Sequence, residues 1–127
     1  MVDPKKYDVS VAAIASYVAD RSDPSRNQYV FAYTITITNT GTVPAQLVSR
    51  HWIITDSDRH VQEVKGEGVV GQQPLLQPGD SFEYTSGASL ATPVGTMHGT
   101  YRMVADDGCA FDATIAPFTL SVPRVLH

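Results

Sequence analysis

Cysteine is almost missing from this chain: Cys109 is the only one in 127 residues. A single thiol excludes an intrachain disulfide and fits a reducing cytosol better than a secreted, stapled fold. Basic runs are missing too. The nine Lys and Arg residues are scattered, none forming a run longer than Lys5-Lys6, and the net charge is −4. No cationic field is available to draw in nucleic acid or an anionic lipid surface. No segment approaches the roughly 20 apolar residues that a membrane-spanning helix needs. Val9 to Ala19, following Lys5-Lys6, has the outline of a signal peptide. Asp3, Asp8, Ser10 and Ser16 interrupt it, and it holds no leucine, so a strand is the better reading. The expectation is a cytoplasmic protein with no nucleic-acid partner and no membrane insertion.

Catalytic spacings are also lacking. His51, His60, His98 and His127 form neither a His-x-His pair nor a HExxH helix. No serine falls in G-x-S-x-G or S-x-x-K. Asp106 and Asp107 precede Cys109, and negative charge raises a thiol's pKa, the wrong direction for a nucleophile. The chain reads as a non-enzyme with no cofactor.

What is present is alternation. A chain of 127 residues suits one domain, here 1–127 with loose ends at about 1–6 and 121–127. The organising stretch is Gln46 to Asp56, which carries the only tryptophan. Val48, Trp52 and Ile54 point one way; Leu47, Ser49, His51, Ile53 and Thr55 point the other. Arg50 falls on the tryptophan's side, where a guanidinium is rarely buried alone, so a rim position or a carboxylate partner is expected. Tyr29 to Thr38 is the cleanest strand, with Tyr29, Phe31, Tyr33, Ile35 and Ile37 on one face, and Asn39-Thr-Gly41 makes its turn. Tyr7 to Val18, His60 to Lys65, Asp80 to Thr85, Thr96 to Ala105 and Cys109 to Leu120 add further strands. Ser86 to Pro93 reads as a connection, and Pro117 implies an end, a bulge or an edge in the last strand. Short strands separated by turn signals predict an all-β antiparallel β-sandwich of fibronectin type III or immunoglobulin-like type, with about seven or more strands.

Three clusters invite a functional reading. Gly66-Glu-Gly68-Val-Val-Gly71 matches G-x-G-x-x-G, but Pro74 and Pro78 obstruct the helix that a dinucleotide site requires. Its glycines then serve bulges or close backbone contacts, or its amides form a small anion-binding nest. Val69, Val70, Leu75 and Leu76 make the loop from Gly66 to Gly79 more apolar than a simple connection needs. The residues expected to bind are Gly66, Glu67, Gly68, Val69, Val70, Gly71, Gln72 and Gln73. Asp56-x-Asp58 with Glu67 superficially matches a calcium loop, yet Val61 occupies the position that demands glycine. His51, Asp56, Asp58 and His60 remain weak metal candidates around one turn.

Taken together, several segments resemble the ApaG family. They are Tyr29-Val-Phe-Ala-Tyr-Thr-Ile-Thr-Ile-Thr-Asn39, Ser49-Arg-His-Trp-Ile-Ile-Thr-Asp56, Gly66-Glu-Gly-Val-Val-Gly-Gln-Gln-Pro74 and Tyr84-Thr-Ser-Gly87, with Thr92-Pro93, Gly95, Met97, Gly99 and Phe118. The resemblance implies a fibronectin-like sandwich that stands alone in bacteria. It further implies kinship with interaction modules inside eukaryotic F-box proteins and a polymerase-delta-interacting protein. It carries an association with cobalt and magnesium efflux, and a suggestion of pyrophosphate binding at Gly66, Gly68 and Gly71. The functional expectation is a non-catalytic module whose partner is another protein. The alternative is a sensor of phosphorylated small molecules, such as a nucleotide or dinucleoside polyphosphate.

Overall fold

The computed structural model describes residues 5–123, so His127 and most of the expected loose ends fall outside it. Eight strands follow in chain order: β1 (Val9–Tyr17), β2 (Tyr29–Asn39), β3 (Ala45–Asp56), β4 (Val61–Glu67), β5 (Leu75–Leu76), β6 (Ser81–Leu90), β7 (Val94–Ala105) and β8 (Ala110–Ser121). All pairings are antiparallel. One sheet has the order β1-β2-β6; the other runs β4-β3-β7-β8, with β5 also paired to β3. The antiparallel β-sandwich expected from the alternation is therefore present. Ser86 to Leu90, expected as a connection, instead extends β6, because its backbone pairs with Tyr29–Tyr33 of β2.

Alternation built the core. Phe31, Tyr33, Ile35 and Ile37 of β2 are buried, as are Met97, Tyr101 and Met103 of β7. Trp52 lies between the sheets on β3, which has neighbours on both sides. Its ring meets Tyr33, Phe118 and Tyr101 edge-on at centroid distances of 5.4, 5.9 and 6.2 Å. The indole N–H has no acceptor among the described residues. Packing holds this ring.

Leu47 corrects the simple alternation. It is fully buried, although strict period two puts it opposite Trp52. The β3–β7 register shifts between Leu47 and Ser49, so Val48 is an extra residue that flips the phase of the strand. Pro117 likewise accompanies a shift in β8, between Ile115 and Phe118, on an edge strand of its sheet. Asn39, whose side-chain amide is buried, ends β2. Its side chain donates to the carbonyls of Val43 and Leu76 and accepts from the Gly41 amide, so burial leaves none of it unpaired.

Candidate functional site

The two sheets differ in width, and this creates the site. β1 packs against β8 along one side of the sandwich. On the other side, β6 and β4 bound an opening roofed by the turn after β4. Tyr33, Arg50, Glu67, Val69, Val70, Gly71, Tyr84 and Ser86 line a cleft there of about 290 Å³.

Arg50 organises the cleft. Its Nη1 donates to the carbonyls of Glu67 and Gly68, each at 2.9 Å. The expected carboxylate partner is absent among the described residues: no acidic oxygen lies within ion-pair distance of this guanidinium. Backbone carbonyls hold Nη1 without neutralising the charge. Gly66 stands opposite Arg50 in the ladder, and a Cβ there would lie 2.7–2.9 Å from the guanidinium. The first glycine of the motif is thus room for an arginine.

The other two glycines have different causes. Gly68 has φ +64°, and a Cβ on it would come within 2.4 Å of the Gln72 carbonyl. Val70 and Gly71 then form a two-residue turn, φ +43° and +79°, closed by hydrogen bonds between Val69 and Gln72 in both directions. Positive φ at both central positions is the type I′ arrangement that hairpins favour. Val70 is the anomaly, because a β-branched residue in this region is strained. It is also 53% exposed. No helix follows Gly71; the two-residue turn leads directly into Gln72 and Gln73.

The turn's amides are partly committed. Gly68 donates to the Val48 carbonyl, Val69 to Gln72, and Gln72 back to Val69. The Gln73 side chain also donates to Val48, so the bulge in β3 is what anchors this loop. Among the described residues, the amides of Val70 and Gly71 donate no hydrogen bond. Val69 and Leu76 are buried, whereas Val70 and Leu75 remain exposed, so half of the loop's apolar set belongs to the core.

Behind Arg50 lie phenols. Tyr84 and Tyr101 share a short buried hydrogen bond between their hydroxyls. Burial pushes the Tyr84 pKa up to about 12, against the pull of the Tyr101 hydrogen bond and the Arg50 charge. Burial also raises that of Tyr101, and the neighbouring phenol of Tyr84 adds to the shift. Both stay neutral donors at physiological pH. The motif residues of this lining stand out in the sequence, whereas Tyr33, Tyr84 and Ser86 carry no mark of a site there. The available signal was Arg50, a charge on the tryptophan's face.

The metal candidates do not converge. His51 pairs with Glu63 at 2.6 Å, and His60 faces Asp56 at 3.3 Å. Asp56 also accepts the amides of Asp58 and His60, an ordinary turn arrangement. No group of three or more metal-ligating side chains gathers among the described residues.

These features define an antiparallel β-sandwich domain with an arginine-bearing cleft between its layers. The chain belongs to the ApaG family: the family model described as "ApaG domain" matches residues 19–105. Protein ApaG of Thiobacillus denitrificans is 65% identical over 127 residues, all of both chains, and that of Dechloromonas aromatica is 61% identical over the same span. A Bordetella pertussis crystal structure named as an ApaA protein superposes with TM-score 0.93 at 59% identity, covering 97% of this chain and 100% of that one. A second X-ray structure, 46% identical, gives 0.89 over 94% and 91%. The relatives' names indicate no catalytic activity. Among the described residues, no helix is long and apolar enough to cross a membrane.

Proposed function

We propose that this chain is a non-catalytic binding module that recognises another protein through the Gly66–Gly79 loop and the cleft beneath it. The carrying observation is Arg50, a half-buried cation held in place by two loop carbonyls and left without a counter-ion among the described residues. A fixed, partly desolvated guanidinium suits a carboxylate supplied from outside, and charge-assisted bonds of this kind are about twice as strong as neutral ones. Val70 and Leu75, 53% and 56% exposed, add apolar contact on the same loop. Strain at an exposed position, as at Val70, is a recurrent mark of binding segments. The test is capture from cytosolic extract on immobilised protein, comparing wild type with a Val70→Asp/Leu75→Asp variant. A retained partner lost in the variant supports the reading; no specific partner, or retention indifferent to the substitutions, refutes it.

A second reading draws on the same charge. Arg50 with the unengaged amides of Val70 and Gly71 offers donors to a pyrophosphate-containing small molecule. The committed amides of Gly68 and Val69 leave it fewer donors than an open nest. Titration of pyrophosphate followed by NMR separates the two readings. Shifts at Gly66, Gly68, Val70 and Gly71 favour the small molecule, and silence there removes it.

A further inference from the structure

Strand β4 has a free side, and its chemistry is self-complementary. It lies at the end of the β4-β3-β7-β8 path, bonded to β3 alone. The flanking bonds Gly68 N–H to Val48 and Asp56 N–H to His60 set the phase of the ladder with β3. In an antiparallel pair the bonded residues alternate, so Gln62, Val64 and Gly66 turn their backbone groups to β3. Val61, Glu63, Lys65 and Glu67 therefore turn theirs outward. The strand is free of proline and has no register shift against β3, whereas the opposite edge, β8, is broken by a shift at Pro117. Such an edge is a template for another strand.

We propose that a second copy of this chain occupies that edge, β4 pairing antiparallel with β4 about a two-fold axis at Val64. Only registers that oppose outward-facing residues can form bonds, and this one sets Glu63 opposite Lys65 of the partner copy, twice. Val61 meets Glu67 across the axis. The neighbouring permitted registers oppose Glu63 to Glu63, or Lys65 to Lys65 with Glu63 to Glu67. Like charges directly opposite are unfavourable and opposite charges favourable, so the register is specified by charge. Each outward pair exchanges two N–H···O bonds, about eight in all. Val64, 38% exposed, meets Val64 of the copy as a close non-bonded pair. The two large sheets become one continuous sheet running from β8 to β8. This inference is independent of the cleft's ligand.

The test uses full-length protein in sedimentation equilibrium, with circular dichroism to verify folding. Wild type is expected to dimerise. E63K and K65E each place like charges opposite one another at two positions and weaken the dimer roughly tenfold to thirtyfold. Both side chains are more than half exposed; E63K also gives up the surface pair with His51, which the circular dichroism control covers. An equimolar mixture of E63K and K65E restores every complementary pair and should dimerise like wild type, as should the double swap E63K/K65E. Wild-type amide shifts at Val61, Glu63, Lys65 and Glu67 should move with concentration while those of Val64 and Gly66 move less. A wild type that stays monomeric, single variants that dimerise undiminished, or a mixture no stronger than its components would each overturn the proposal.

Discussion

The buried phenol pair behind Arg50 gives a sharp energetic test. Tyr101 is fully buried and Tyr84 is 7% exposed, with its ring at the cleft wall. Tyr84→Phe strands the Tyr101 hydroxyl where water cannot reach, which costs about 1–3 kcal/mol. Tyr101→Phe strands the hydroxyl of Tyr84, the less buried of the two and a cleft-lining residue, and should cost less, about 0.5–1 kcal/mol. The double phenylalanine variant removes donor and acceptor together and should cost no more than about 1 kcal/mol. The singles are then non-additive, with a coupling of roughly 0.5–3 kcal/mol. Urea denaturation followed by Trp52 fluorescence measures all four corners, since the indole lies 6.2 Å from the Tyr101 ring. The alkaline limb is a second readout. An unfolded phenol titrates near ~10, and the folded Tyr84 near about 12, so above pH ~10 the folded state holds more protons than the unfolded one. Stability should fall as pH rises past that point, and less steeply in the double variant. Additive singles, or Tyr101→Phe costing more than Tyr84→Phe, would refute the argument.

Three further outcomes follow from local geometry. Val70→Asn should stabilise the protein by about 1 kcal/mol, because asparagine accepts positive φ and valine does not; a loss of thermal stability would contradict the strain. Gly99→Ala drives a Cβ to 2.0 Å from the His51 carbonyl on the adjoining strand and should cost about 3 kcal/mol or more. Gly87→Ala meets only the Phe31 carbonyl at 3.5 Å and should be neutral or better, so equal melting temperatures for the two would sink the distinction. Hydrogen bonds from the Tyr7 hydroxyl and the Cys109 amide, with Lys6 nearby, hold Asp107 down to about 2. Its contribution is complete above the unfolded carboxylate range near ~4 and disappears as pH falls through 2, so Asp107→Asn should flatten that part of the stability profile.

Much of this fold is written locally. Tyr29–Asn39 announces its own buried face, because side chains on a strand alternate whatever the strand pairs with. The turn glycines and Pro117 speak for themselves through φ and the missing amide, and together they delimited most of the strands. The tryptophan strand showed its type and its place in the middle of a sheet. It showed the phase at Trp52 and Ile54 but not its reversal at Leu47, since the bulge at Val48 arises only against β7. The glycine motif was visible, but its meaning was not. Room for Arg50, the contact between Gly68 and Gln72, and a turn tightened by Gln73 on Val48 all depend on residues brought near by pairing. Likewise, Tyr33 on β2, Arg50 on β3 and Tyr84 on β6 meet only because two sheets of unequal width leave one side of the sandwich open. Periodicity belongs to one strand at a time, whereas a cleft belongs to the distances between strands, and those are set when the layers close.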